Sequence, residues 1–139
     1  MADIYRTIMD GAKGMNAGDL DAIVARYRLP FVLCIDNQNT VIETDDHFAQ
    51  LLSEWQQSML AHHVVRTDTK IVSQFVTDDD MAFVVTDTKL VNAEARVVRR
   101  KTLSYVLRCI EGAWKIVVLS CNERAAVDTR SDAQFELSA

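Results

Sequence analysis

Three side chains in this sequence have the chemistry of a general acid or base and a setting that could use it. Asp87 interrupts the apolar run Met81 to Val91 at the same alternate spacing as Met81, Phe83 and Val85. Turned inward with them, its carboxylate would be pushed up in pKa, because burial disfavours the charge, and could accept a proton. Asp36 follows the apolar run Phe31 to Ile35 and opens a polar turn. His47 stands near the start of a long amphipathic segment and could serve, like Tyr105, as the acid opposite either aspartate. Each has a simpler reading. Asp87 could pair with Lys89, Arg99 or Arg100 on a sheet exterior, and His47 could be a solvated surface residue.

Other chemistries find less support. His62 and His63 are adjacent, so on a helix they point about 100° apart and cannot readily hold one ion. No HxxxH, HxH or HxxE spacing occurs, whereas catalytic zinc needs three converging ligands; neither a metal nor a cofactor is expected. Cys34, Cys109 and Cys121 make an odd count without CxxC spacing, each among apolar neighbours. They read as packed free thiols in a reducing cytoplasm. Arg96, Arg99, Arg100 and Lys101 form one basic cluster, but the net charge is −5 and no aromatics interleave. That argues against nucleic acid and for a solvated strand face or a dimer contact. Asp78-Asp79-Asp80 lacks the spaced ligands of a calcium loop and reads as a turn. Asp3 and Arg6 interrupt any secretory leader. No run approaches the roughly 20 apolar residues of a membrane span, so no membrane partner is expected.

The elements that must carry these groups are legible from periodicity. With 139 residues, 49% of them hydrophobic, and only one proline, the chain has the length and composition of one domain over residues 1–139. Ile4, Ile8, Ala12 and Met15 make one stripe of a helix from about Asp3 to Met15. Gly18 supplies a stop and Asp19 a cap for a second helix, whose face is Leu20, Ile23, Val24 and Tyr27. Phe31 to Ile35 reads as a covered strand, Asp36 to Thr40 as a turn, and Val41 to Glu43 as the returning partner. Thr44 or Asp45 then caps the longest helix, with Phe48, Leu51, Leu52, Trp55 and Met59 on its apolar side.

From Val64 the period changes to two. Val65, Thr67, Thr69, Ile71, Ser73 and Phe75 share one face of a strand. Met81 to Val91, Val97 to Ile110 and Trp114 to Cys121 follow as three more, the last two joined through Glu111-Gly112-Ala113. Strands this long should carry bulges. Residues from about 123 to 139 lack a period and are expected to form a loose tail.

The order helix, helix, hairpin, long helix and four long strands, over about residues 3 to 122, resembles the NTF2-like (SnoaL-like) superfamily. The string Asn16-Ala17-Gly18-Asp19-Leu20-Asp21 is similar to the start of the second helix in ketosteroid isomerase-type members, and Trp114-Lys115-Ile116 is similar to many small members. The resemblance implies an α+β cone, a curved antiparallel sheet lidded by three N-terminal helices. It does not carry the isomerase reaction, which needs an aspartate base and an oxyanion hole of tyrosine and protonated aspartate. Aligned on that string, the tyrosine falls on Gly11 and the base on Ile35, one residue from Asp36; the strand due to supply the third group offers Arg99 and Lys101 instead.

In such a cone Tyr27, Phe31, Trp55, Phe83, Tyr105 and Trp114 should point into the hollow, either filling it or lining a ligand pocket. The leading expectation is a small apolar or amphipathic ligand in that cavity. The alternatives are a cofactor-free isomerase, dehydratase or cyclase using Asp36 or Asp87 as base, and a protein-interaction module. Ile71, Val84, Leu90, Val106 and Val118 are expected to leave apolar area on the outer face, which a twofold homodimer would cover.

Overall fold

The computed structural model describes residues 4–78 and 80–124. Helix α1 (Ile4–Ala17) ends where glycine is needed. Gly18 adopts φ 69°, its N–H donates to the Met15 carbonyl at 3.3 Å, and the Asp19 N–H donates to Gly14 at 2.9 Å. This Schellman closure turns the chain back on itself. The Asp19 carboxylate then accepts from the Ala22 N–H at 3.2 Å and starts α2 (Leu20–Val24). Gly14 lets the two helices touch, since a Cβ there would lie 3.1 Å from Ile23 Cγ1.

Helix α2 is shorter than its apolar period suggests. The Arg26 carbonyl accepts from the Ile116 N–H at 2.8 Å, so the backbone has joined the sheet before Tyr27, which begins β1 (Tyr27–Ile35). Asp36 and Asn37 have φ 48° and 67°, the left-handed pair of a two-residue hairpin turn. Strand β2 (Gln38–Ile42) therefore returns earlier than expected. The Thr44 hydroxyl accepts from the His47 N–H at 3.1 Å and caps α3 (Asp45–Ala61), with Asp45 and Asp46 in the first turn where the helix dipole favours them.

β3 (Val64–Val76), β4 (Met81–Asn92), β5 (Val97–Ile110) and β6 (Ala113–Arg124) complete a six-stranded sheet of order β2-β1-β6-β5-β4-β3. This is the expected α+β cone with one amendment. β1 runs parallel to β6, and the other neighbours are antiparallel. No hairpin links β1 and β6, so no turn dictates their direction. Residues 123 and 124 belong to β6, and the rest of the expected tail lies outside the described residues. No helix among the described residues is long and apolar enough to cross a membrane.

A bulge between Ile71 and Ser73 decides which side chains face inward. Before it, Thr67, Thr69 and Ile71 oppose Leu90, Thr88 and Thr86 on the concave side; after it, Phe75 opposes Phe83 on the convex side. The expected single face for Val65 to Phe75 is therefore split. Val84 and Leu90, 1% and 4% exposed, are core residues rather than outer-face ones, and Ile71 packs beside Val84. Only Val106 and Val118 of that expected set look outward.

Two clusters fill the concave side. Ile4 and Ile8 of α1 pack on Ala82, Val84, Leu107, Trp114 and Ile116. Ile23, Phe48 and Leu52 pack on Phe31, Leu33, Leu103 and Leu119. Asn16 clamps α1 to the open edge of β3: its Oδ1 accepts from the Thr67 N–H at 2.7 Å, and its Nδ2 donates to the Thr67 carbonyl at 2.9 Å. A side-chain amide thus does the work of a neighbouring strand at that edge.

Candidate functional site

The hollow of the cone lies beneath α3. A chamber of about 280 Å³ is walled by Phe31, Leu33, Phe48, Leu51 and Leu119, with Asp36, Glu54, Lys101 and Glu123 among its polar lining. One wall is a packed aromatic trio. Tyr27 and Phe31 have centroids 4.8 Å apart, Tyr27 meets Phe48 nearly edge-on at 4.9 Å, and Phe31 meets Phe48 at 4.8 Å. Interlocked rings of this kind hold a wall in place.

A smaller cavity of about 60 Å³ lies further in, between α1 and β4–β5, beside Gly11, Leu103 and Tyr105. Its polar floor includes Thr69 and Thr88, whose hydroxyls lie 3.3 Å apart. Tyr27, Trp55, Lys101 and Leu119 line both spaces and so form the partition. Burial pushes Tyr105 up to about 12, against the smaller opposing pull of the nearby Thr86 hydroxyl. Burial and the neighbouring Tyr105 push Tyr27 up further still. Both phenols therefore stay neutral at ordinary pH and can donate hydrogen bonds but not act as bases.

The third component is polar. Arg99 pairs with Glu123, and Arg99 Nη2 donates to His62 Nε2 at 2.8 Å. Because a guanidinium can only donate, the His62 proton resides on Nδ1, which donates to the Ser58 carbonyl at 2.8 Å. These groups edge a recess of about 120 Å³ that Trp55 and Lys101 also line. Cys121 faces the chamber, but burial raises its thiol, and Glu123 and Asp36 raise it further against the pull of Lys101. It lacks the lowered pKa of a nucleophilic thiol.

The sequence-derived site residues divide. Tyr27, Phe31 and Trp55 line the chamber, and Tyr105 lines the inner cavity. Phe83 does not point inward: it is 42% exposed on the convex face, 6.4 Å from the Phe75 ring. Trp114 does point inward, but under α1 with Ile4 and Ile8, where it closes the core rather than lining the chamber. Asp87 is on the convex face, where Arg100 Nη2 donates to it at 2.9 Å; the exterior ion pair is its role. His47 is exposed in the first turn of α3 and lines neither cavity. Asp36 alone of the three candidate acid–base groups reaches the chamber, at its exposed rim, and among the described residues it has no hydrogen bond to a tyrosine or histidine.

Lys101 and Glu123 join the site from β5 and β6, and for Lys101, which with Arg99 also falls where the family alignment expects a third group, alternation carries the signal. Arg99 and Lys101 share a parity that Arg100 does not, so the apparent basic cluster is split, two cations inward and one bonded to Asp87 outside.

The family model described as NTF2-like protein (DUF6841) matches residues 3–124. Among solved structures, a domain of unknown function with a cystatin-like fold from Nostoc punctiforme PCC 73102 superposes with TM-score 0.73 at 11% identity, covering 98% of this chain and 84% of that one. A ketosteroid isomerase-like protein from Erwinia carotovora atroseptica SCRI1043 gives TM-score 0.69 at 20% identity, covering 88% and 94%. An NTF-2-like protein of unknown function from Shewanella oneidensis MR-1 gives 0.67 at 15%, covering 85% and 94%. At such identities the likeness is one of fold. No curated protein matches the chain.

Proposed function

This chain belongs to the NTF2-like family of that description, and we propose that it binds a small apolar or amphipathic molecule in the chamber beneath α3. The observation that carries this reading is the chamber's lining: about 280 Å³ bounded by Phe31, Leu33, Phe48 and Leu119, with few polar groups converging on it. Small-molecule sites are commonly built this way. At about 30 Å³ per water-sized volume, the space suits a ligand of about ten non-hydrogen atoms. The test is calorimetric titration with 1-octanol, an uncharged chain of about that size. Saturable binding is expected, weakened at least tenfold by Leu51→Trp, which fills the chamber from α3, in a variant whose circular dichroism is unchanged. Binding that ignores Leu51→Trp would place the site elsewhere.

A homodimer through the convex face is the assembly we propose with it. Phe75, Phe83, Val106, Val118, Val32 and Val41 stand opposite one another across all six strands. Phe75 is 64% exposed and Val41 50%. A continuous apolar row suits a self-complementary twofold contact. Val106→Asp should sediment as a monomer where the parent sediments as a dimer; identical sedimentation of the two would count against this face. The unpaired thiols Cys34, Cys109 and Cys121 support a reducing compartment such as the cytoplasm.

A further inference from the structure

We propose that Lys101 anchors the ligand's head group and that the ligand is therefore an amphipathic acid, a carboxylate on a medium-length aliphatic or aryl body. This rests on the chamber reading above and deepens it. Lys101 lies on β5 between two inward neighbours of opposite character, Arg99 towards the polar recess and Leu103, 5% exposed, towards the core. Lys101 lines the 280 Å³ chamber, the 60 Å³ inner cavity and the 120 Å³ recess. The ammonium lies 5.2 Å from the centre of the Trp55 ring.

What singles it out among the described lysines is that it lines these spaces without a hydrogen-bonding or carboxylate partner. Glu123, opposite Lys101 across the β5–β6 pair, is engaged by Arg99. Among the described residues, no hydrogen-bond acceptor or carboxylate serves the Lys101 ammonium. Three strong donors on a half-enclosed, apolar-walled cation call for an acceptor from outside the chain. A cation–π contact satisfies the charge in part and leaves the N–H groups open. A carboxylate would supply two acceptor oxygens and make the stronger, charge-assisted bonds.

The surroundings set the ligand's direction as well as its charge. From Lys101, the chamber side is Phe31, Leu33 and Leu119, while the recess side is Ser58, His62 and Arg99. An apolar body placed in the first leaves its head at the threshold of the second. The chamber's acids do not reverse this preference. Glu123 is neutralised by Arg99, and Asp36 and Glu54 are exposed at the rim, where salt screens charge over about 8 Å at physiological strength.

Three probes with one tail and different heads separate the claims: octanoate, 1-octanol and octylamine, each titrated calorimetrically into the full chain near neutral pH. Octanoate should bind at least tenfold tighter than octanol, and octylamine more weakly than either. Lys101→Met should weaken octanoate at least tenfold and octanol by much less, bringing the two affinities together, and Lys101→Arg should keep the acid preference. Equal binding of octanoate and octanol to the parent, or an acid preference that survives Lys101→Met, overturns the anchor and leaves the chamber reading standing. Absence of saturable binding for all three probes overturns both.

Discussion

One concave face carries two unlike halves, the part under α1 the more closely filled, with a cavity of about 60 Å³, and the part under α3 holding the chamber of about 280 Å³. Under α1, Ile4 and Ile8 are 6% and 3% exposed, and Leu107 opposite them is fully buried. The helix is drawn down at its far end by the Asn16–Thr67 bonds and by close contact at Gly14. Helix α3 is longer, 17 residues, yet it buries only Phe48 and Leu52. Leu51, Trp55 and Met59 on the same face line cavities, with Leu51 and Trp55 touching the core cluster only at its edge. Amphipathicity therefore marks which side of a helix turns inward, without saying whether anything fills the space it meets.

The largest effect should come from removing one side chain from each half. Leu107→Ala deletes a fully buried side chain and should cost about 2–5 kcal/mol, the transfer loss plus a new cavity. Leu51→Ala removes atoms that already border open space and should cost about 1 kcal/mol. Urea denaturation of the two variants beside the parent measures both. Equal losses would mean the halves are packed alike and that the hollow closes in solution.

The same contrast explains what could be read from the chain beforehand. Gly18, Asp19 and Thr44 announce their turns and caps because those signals are local, and all three act as read. The inward aromatics Tyr27, Phe31, Trp55 and Tyr105 were also legible, although Tyr27 arrives on a strand instead of a helix. Strand β4 misled, because apolar residues occupy both parities, Met81, Phe83 and Val85 against Ala82, Val84 and Leu90. Alternation then cannot choose a face. The structure turns Thr86 and Thr88 inward and Phe83 and Asp87 outward, a choice made by pairing with β3 and β5. The parallel β1–β6 pair had no local signal at all. Lys101 was half legible: with Arg99 it falls where the isomerase-type alignment expects a third group, yet three consecutive basic residues look like a solvated face until the pleat separates them.

A smaller effect, conditional on pH, probes the boundary between the halves. Tyr105 packs against both clusters and lines the inner cavity. Its folded pKa, raised to about 12 from an ordinary value of 10.0, makes its contribution to stability depend on alkali. Below pH 10 the phenol is protonated whether the chain is folded or not, and the contribution is fully present. As pH rises through 10 the unfolded chain ionises first, so unfolding releases a proton and stability falls, until the folded phenol itself ionises near 12. The full loss corresponds to about 2–3 kcal/mol, and Tyr27, raised in the same direction by burial, steepens the decline. Urea midpoints at about pH 9 and about pH 11 should fall by less in Tyr105→Phe than in the parent, because the variant has no phenol to ionise there. The change with pH within each protein leaves out any constant cost of losing the Tyr105 hydroxyl. If the parent and Tyr105→Phe decline in parallel, the phenol is solvated in both states, and the partition between the filled and hollow halves is open to water.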